Sequence, residues 1–140
     1  EIYNEWPGQA TNKTKATPAA YAELLKATSK ALREANPDVK VVALCCFYSD
    51  AEWMDGVLEA LGTNPGQYFD AVSIHPYMNY WTNILYPDPD YVKGMENVTA
   101  VLNKYGVGDK PLYATEYGFS TEYMAKRRLT RKESRIIQRE

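Results

Sequence analysis

Histidine and cysteine are the scarce residues of this 140-residue chain: it has one of the first and two of the second. With a single histidine and no Cys-x-x-Cys spacing, a zinc site of the usual kind has no ligand set, and we expect no metal and no cofactor. Cys45 and Cys46 are adjacent on an apolar run. On a strand their side chains point to opposite faces, so they read as two small buried hydrophobes, not a disulfide. No apolar run approaches the twenty or so residues that span a bilayer, so no membrane partner is expected. A large excess of either sign of charge is also missing, since the formal net charge is only -2. The basic cluster Lys126-Arg127-Arg128 with Arg131-Lys132 reads as a solvated loop and helix start, and nothing else offers a footprint for phosphate backbones. Nucleic acid is therefore not an expected partner. No glycine-rich loop follows any strand-like run, which removes the usual support for nucleotide binding.

Aromatic residues, by contrast, are plentiful, with twelve tyrosines and three tryptophans. The composition is 45% hydrophobic and 24% charged, that of an ordinary globular protein. The chain opens on Glu1 without a charged and apolar leader, and the expectation is that its natural N-terminus lies upstream. Asn12-Lys13-Thr14 and Asn97-Val98-Thr99 are glycosylation sequons, which matter only in a secretory pathway.

Short apolar runs alternate with amphipathic segments. A first strand is read over residues 1–4. Thr17-Pro18 then supplies an N-cap followed by proline at the first helical position. Tyr21, Leu25, Thr28 and Leu32 share one face of a helix that stops at Asn36-Pro37. The second strand, over 39–47, is continuously apolar except for Lys40, as a parallel strand buried on both faces should be. Ser49 or Asp50 can cap a second helix with Trp53, Val57, Leu58 and Leu61 as its stripe and Gly62 as its stop. A third strand, 71–74, runs into His75-Pro76-Tyr77. After a loop over 78–89 that holds Tyr80, Trp81 and Tyr86 comes a helix. Its positions Tyr91, Met95, Val98, Leu102 and Tyr105 are spaced by four, three, four and three. A fourth strand, 111–115, delivers Glu116, and Thr130-x-x-Glu133 forms a capping box for a last helix.

Strands alternating with helices at a spacing of roughly 35 residues argue for a βαβ series and a parallel sheet with right-handed crossovers. The loops after strands are aromatic and acidic, whereas those after helices are short and plain. In a (β/α)8 barrel that asymmetry marks the active face at the strand C-termini. A complete barrel takes about 250 residues and eight strands. The expected fold class is therefore α/β, an incomplete TIM barrel of about half its strands, with residues 1–140 forming one partial domain truncated at both ends.

Two glutamates stand just after strand-like runs, in Asn4-Glu5-Trp6 and in Thr115-Glu116-Tyr117-Gly118. Two carboxylates facing each other can break a glycosidic bond, one protonating the leaving oxygen and the other stabilising or attacking the anomeric carbon. In these residues the chain resembles the retaining glycoside hydrolases of clan A, and most nearly glycoside hydrolase families 39 and 5. The resemblance covers the whole chain. It implies that the four strands are strands four to seven of a TIM barrel, with Asn4-Glu5 matching the Asn-Glu pair that ends strand four and Glu116 the glutamate that ends strand seven. It further implies Glu5 as acid/base and Glu116 as nucleophile, and an oligosaccharide or polysaccharide with β-linked, plant-type or related units as substrate. The remainder of the barrel would come from flanking sequence. The location implied is extracellular or periplasmic, with a cytoplasmic one still open.

Glu5 has to arrive protonated, which burial or the negative charge of Glu116 favours, while Glu116 has to stay ionised. Asn4 is the residue read as bonding the sugar 2-hydroxyl. His75 and Tyr77 end the strand beside the nucleophile strand and are read as positioning Glu116 or binding sugar. Trp6, Trp81, Tyr80, Tyr86 and Tyr117 are candidates for stacking on pyranose faces. A second reading from another class is a non-catalytic sugar-binding or structural barrel segment, in which Glu5 and Glu116 only accept hydrogen bonds. A metal-dependent hydrolase would need more histidines at strand ends than His75 alone.

Overall fold

A computed structural model of the chain describes residues 1–6, 17–47, 50–77 and 89–117, without the side chains of Phe47, Pro89 and Asp90. Along them run α1 (Pro18–Ala35), β1 (Val42–Phe47), α2 (Ala51–Leu61), a 3-10 turn (Pro65–Tyr68), β2 (Ala71–His75), α3 (Pro89–Lys104) and β3 (Leu112–Ala114). The strands form one open parallel sheet in the order β1-β2-β3, so the protein is mixed α/β with each strand beside its successor. The capping box at Thr130, the basic cluster, and Tyr80, Trp81 and Tyr86 lie outside the described residues.

Local chemistry sets the helix ends. The Thr17 side chain accepts from Ala20 N at 3.1 Å and Pro18 opens α1. The Asp50 carboxylate accepts from Trp53 N at 3.0 Å at the start of α2. Gly62 (φ 90°) and Gly106 (φ 68°) take up the left-handed backbone beyond α2 and α3, where a Cβ would be strained. The core joins one face of each helix to the sheet: Leu25 from α1, Val57 and Leu58 from α2, Val98 and Leu102 from α3, and Val72 and Ile74 from β2. On α1 the buried stripe is Tyr21, Ala22, Leu25 and Ser29, following the four-residue repeat, while Leu32 is left exposed, contrary to the expected face. Every residue of β2 is buried, as its central place requires.

The strand boundaries differ from the sequence reading where a side chain takes over a backbone partner. The second strand was expected from Val39, but its ladder starts at Val42, because the Asp70 carboxylate accepts from Val41 N at 2.8 Å. Asp70 N returns a bond to Val41 O at 2.7 Å, and Arg33 donates to the same carboxylate at 3.1 Å. β3 is short, yet Val72 N donates to Pro111 O and Thr115 N to Ile74 O, extending the parallel pairing to both sides.

The expected first strand over 1–4 is not a regular strand. Ile2 N donates to Val42 O at 2.9 Å, which lays the segment against β1, but Tyr3 (φ 63°) and Glu5 (φ 47°) break the extended backbone. Tyr21 holds this arrangement: its hydroxyl donates to Ile2 O and accepts from Leu44 N, both at 3.0 Å. Leu44 (φ 68°) sits in a bulge where β1 advances from Ala43 to Cys46 while β2 advances only from Val72 to Ile74. One extra residue on β1 frees the Leu44 N–H from the ladder, and Tyr21 receives it.

Candidate functional site

His75, the last residue of β2, is 1% exposed and organises the site from the middle of the sheet. Its Nδ1 lies 2.7 Å from Glu5 Oε1 and 3.6 Å from Glu116 Oε2. Its Nε2 lies 3.2 Å from Cys45 Sγ and 4.0 Å from Glu1 Oε1. Parallel pairing puts the C-terminal ends of all three strands at one edge. The bulge in β1 therefore carries Cys45 to one side of the ring while β3, continued by Thr115, carries Glu116 to the other. The positive-φ turn after Ile2 brings Glu5 in from the start of the chain.

The two predicted catalytic carboxylates thus come together. One carboxylate oxygen of Glu5, a ring nitrogen of His75 and one carboxylate oxygen of Glu116 all lie within 4.8 Å of one another. Their surroundings differ. The Glu5 side chain is 12% exposed and the Glu116 side chain 42%. Tyr77 donates its hydroxyl to Glu116 Oε2 at 2.8 Å. The Tyr77 ring also stands edge-on to His75, centroids 6.4 Å apart.

Of the residues read as sugar contacts, Asn4 is exposed, with Oδ1 4.0 Å from Cys45 Sγ. Tyr117 is 55% exposed beside Glu116. Trp6 is half-buried and packs edge-on between Tyr3 and Tyr21, at 4.7 and 5.9 Å. Tyr21 in turn stands 5.0 Å from Trp53, so Trp6 is part of an aromatic row under the N-terminal segment. Its Nε1 is buried without a hydrogen-bond partner among the described residues. Trp81 lies outside the described residues.

The sequence reading has Cys45 as a small buried hydrophobe and Glu1 as the start of a strand, and neither as a site residue. Burial acts to raise the Glu1 carboxyl. The hydrogen-bonding groups Cys45, Ser73 and Thr115 beside it, together with His75, outweigh it and hold the group below its ordinary value. The Thr115 hydroxyl donates to Glu1 Oε1 at 3.0 Å. Burial first, and the neighbouring Glu1 carboxylate second, push the Cys45 thiol up to about 12. Cys46, turned into the hydrophobic core, is pushed up to about 12 by burial as well. The two neighbouring cysteines face opposite ways, as expected: Cys46 joins the hydrophobic core, and Cys45 faces His75. The available signal for Cys45 was its place two residues before the end of a strand, at the edge where the other site residues gather.

Two groups could offer ligands to a cation, Glu5 with His75 and Glu116, and Glu1 with Cys45 and His75, each within 4.8 Å. In the first, the 2.7 Å between Glu5 Oε1 and His75 Nδ1 is a hydrogen-bond distance, whereas two ligands on one tetrahedral zinc stand roughly 3.3 Å apart. In the second, Cys45 Sγ and His75 Nε2 stand 3.2 Å apart. A separate cleft of about 460 Å³, lined by Ala51, Asp55, Asn97 and Lys104 among others, contains none of these groups.

No protein-family model matches the chain, and no curated protein matches it.

Proposed function

We propose that the chain is the part of a clan A retaining glycoside hydrolase that spans strands four to seven of a TIM barrel, with β1, β2 and β3 as strands five, six and seven. The observation that carries this reading is the convergence of Glu5 and Glu116 on His75, with carboxylate oxygens within 4.8 Å. That approach suits a double displacement, for which carboxyl groups about 5–5.5 Å apart are needed, better than an inverting reaction, which leaves about 6.5–9.5 Å for a water. The three strands are parallel and in sequence order, and β3 leaves Tyr113 half exposed at an edge where a barrel would continue. The site lies at the strand C-termini, the end that carries activity in such barrels.

In this reading Glu5, the more buried carboxyl, gives its proton to the glycosidic oxygen as the bond to the anomeric carbon breaks. Glu116, held by Tyr77, attacks that carbon and forms the glycosyl-enzyme. Glu5, now ionised, takes a proton from water, which attacks the same carbon and releases Glu116. The substrate is a β-linked oligosaccharide or polysaccharide, bound by Asn4 and the exposed ring of Tyr117 together with groups from the rest of the barrel. The location in keeping with such a substrate is extracellular or periplasmic.

The test is the stereochemistry of rescue in the full-length parent. Glu116→Ala should abolish turnover, and azide should restore it with inverted product. Glu5→Ala should impair substrates with poor leaving groups far more than activated aryl glycosides, and azide should rescue it with retained configuration. Equal, modest losses without leaving-group dependence would overturn the assignment in favour of a non-catalytic sugar-binding segment.

A further inference from the structure

We propose that Cys45 is a positioning residue: its thiol donates to His75 Nε2 and so fixes the ring as the Nδ1–H tautomer, which donates in turn to Glu5 Oε1. This rests on the glycosidase reading for its consequence in catalysis, but not for its geometry.

The proton count around the ring carries it. A neutral imidazole has one N–H and one bare nitrogen, and its neighbours decide which is which. Nδ1 faces two carboxylate oxygens, Glu5 Oε1 at 2.7 Å and Glu116 Oε2 at 3.6 Å. A bare Nδ1 there would set its lone pair against theirs, whereas an Nδ1–H gives the nearer oxygen a hydrogen bond. Nε2 faces Cys45 Sγ at 3.2 Å, with Glu1 Oε1 further off at 4.0 Å. Sulfur is a weak acceptor and a bare imidazole nitrogen a strong one, so the better bond across that gap is S–H to Nε2. A buried thiol that stays protonated keeps this donor in place at every working pH. Asn4 Oδ1, at 4.0 Å from the sulfur, is too distant to compete well for the proton. Glu1, the rival acceptor within reach of the thiol, already accepts from the Thr115 hydroxyl at 3.0 Å, so the thiol's one proton goes to the bare ring nitrogen.

The consequence falls on Glu5. With Oε1 accepting from Nδ1–H, the acid proton of Glu5 resides on the other oxygen, Oε2, which is left to meet the leaving group. Cys45 thus acts through His75 without touching substrate.

The single histidine makes the test direct, because long-range proton-nitrogen NMR of the 15N-histidine-labelled chain reports one ring. The expected result at neutral pH is a protonated Nδ1 and a bare Nε2. Cys45→Ser, which keeps a donor, should preserve that pattern, and Cys45→Ala should lose it, with Nε2 becoming protonated toward Glu1. A protonated Nε2 in the unaltered chain overturns the proposal, and so does an unchanged ring in Cys45→Ala. Kinetics of the parent separate this from the glycosidase reading. Cys45→Ala should lower turnover of poor-leaving-group substrates about tenfold while sparing activated aryl glycosides, with Cys45→Ser near the unaltered enzyme. An Nδ1–H ring in a parent that hydrolyses no glycoside would remove the glycosidase reading and leave the hydrogen-bond relay standing.

Discussion

Tyr77 and Glu116, 39 residues apart, are joined by a 2.8 Å hydrogen bond across the C-terminal ends of two neighbouring parallel strands. Together with the 2.7 Å contact between Glu5 and His75, it ties the beginning, the middle and the last described strand of the chain into one network. Each glutamate has its own partner on β2 or just beyond it. That division separates a shielded carboxyl from a hydrogen-bonded, more open one, the asymmetry an acid and a nucleophile need.

Removing the Tyr77 hydroxyl tests half of that division. A hydrogen bond to a charged group contributes about 1.5–3 kcal/mol. Glu116 is 42% exposed and water screens part of this, so the lower end applies. On the proposed glycosidase reading, Tyr77→Phe in the full-length protein should lower kcat roughly tenfold, with KM little changed, in steady-state assays on an aryl glycoside. An unchanged kcat would mean that Tyr77 does not serve the nucleophile.

Tyr21 is expected to be a stability residue. Its hydroxyl satisfies both Ile2 O and the Leu44 N–H that the β-bulge leaves over. Tyr21→Phe strands two buried backbone groups and should destabilise the chain by about 1–3 kcal/mol. Urea denaturation should show a lower midpoint at unchanged slope. Tyr113→Phe, at a half-exposed position on β3, should stay within about 0.5 kcal/mol.

The pH dependence of stability should have two flanks. Glu1 is held below its ordinary value of 4.5, so its contribution is present above that pH and is lost as pH falls through the lowered folded value. Glu1→Gln should flatten the acid flank. Cys45 and Cys46 are raised from 9.0 to about 12, so their contribution is complete below pH 9 and disappears as pH climbs toward 12. At pH 8 neither thiol should be alkylated by iodoacetamide until the chain unfolds, and rapid native alkylation of Cys45 would contradict its placement.

Much of the fold was legible because it rests on local rules. Thr17-Pro18, Asp50 and Gly62 mark helix ends through bonds and backbone angles made within a few residues, and the four-three spacing from Tyr91 to Tyr105 needs only helical geometry. Glu5, His75, Tyr77 and Glu116 were legible as candidates because they stand directly after strand-like runs, and parallel strands expose that end together. The first strand was misread because Glu-Ile-Tyr-Asn has strand character, while the positive φ at Tyr3 and Glu5 is imposed by bonds to β1 and Tyr21.

By itself, then, the sequence determined the order of the described helices and the three strands, their parallel βαβ logic and the placement of Glu116 just beyond a strand end. Tertiary structure alone decided that Glu5 and Glu116 meet at one imidazole, and that Cys45 and Glu1 complete its other side. The physical reason is distance along the chain. Cys45 and His75 are 30 residues apart and Glu5 and His75 are 70, so no local propensity relates them. They are brought together by sheet register, by a single extra residue in the bulge at Leu44 and by the tyrosine that accommodates it.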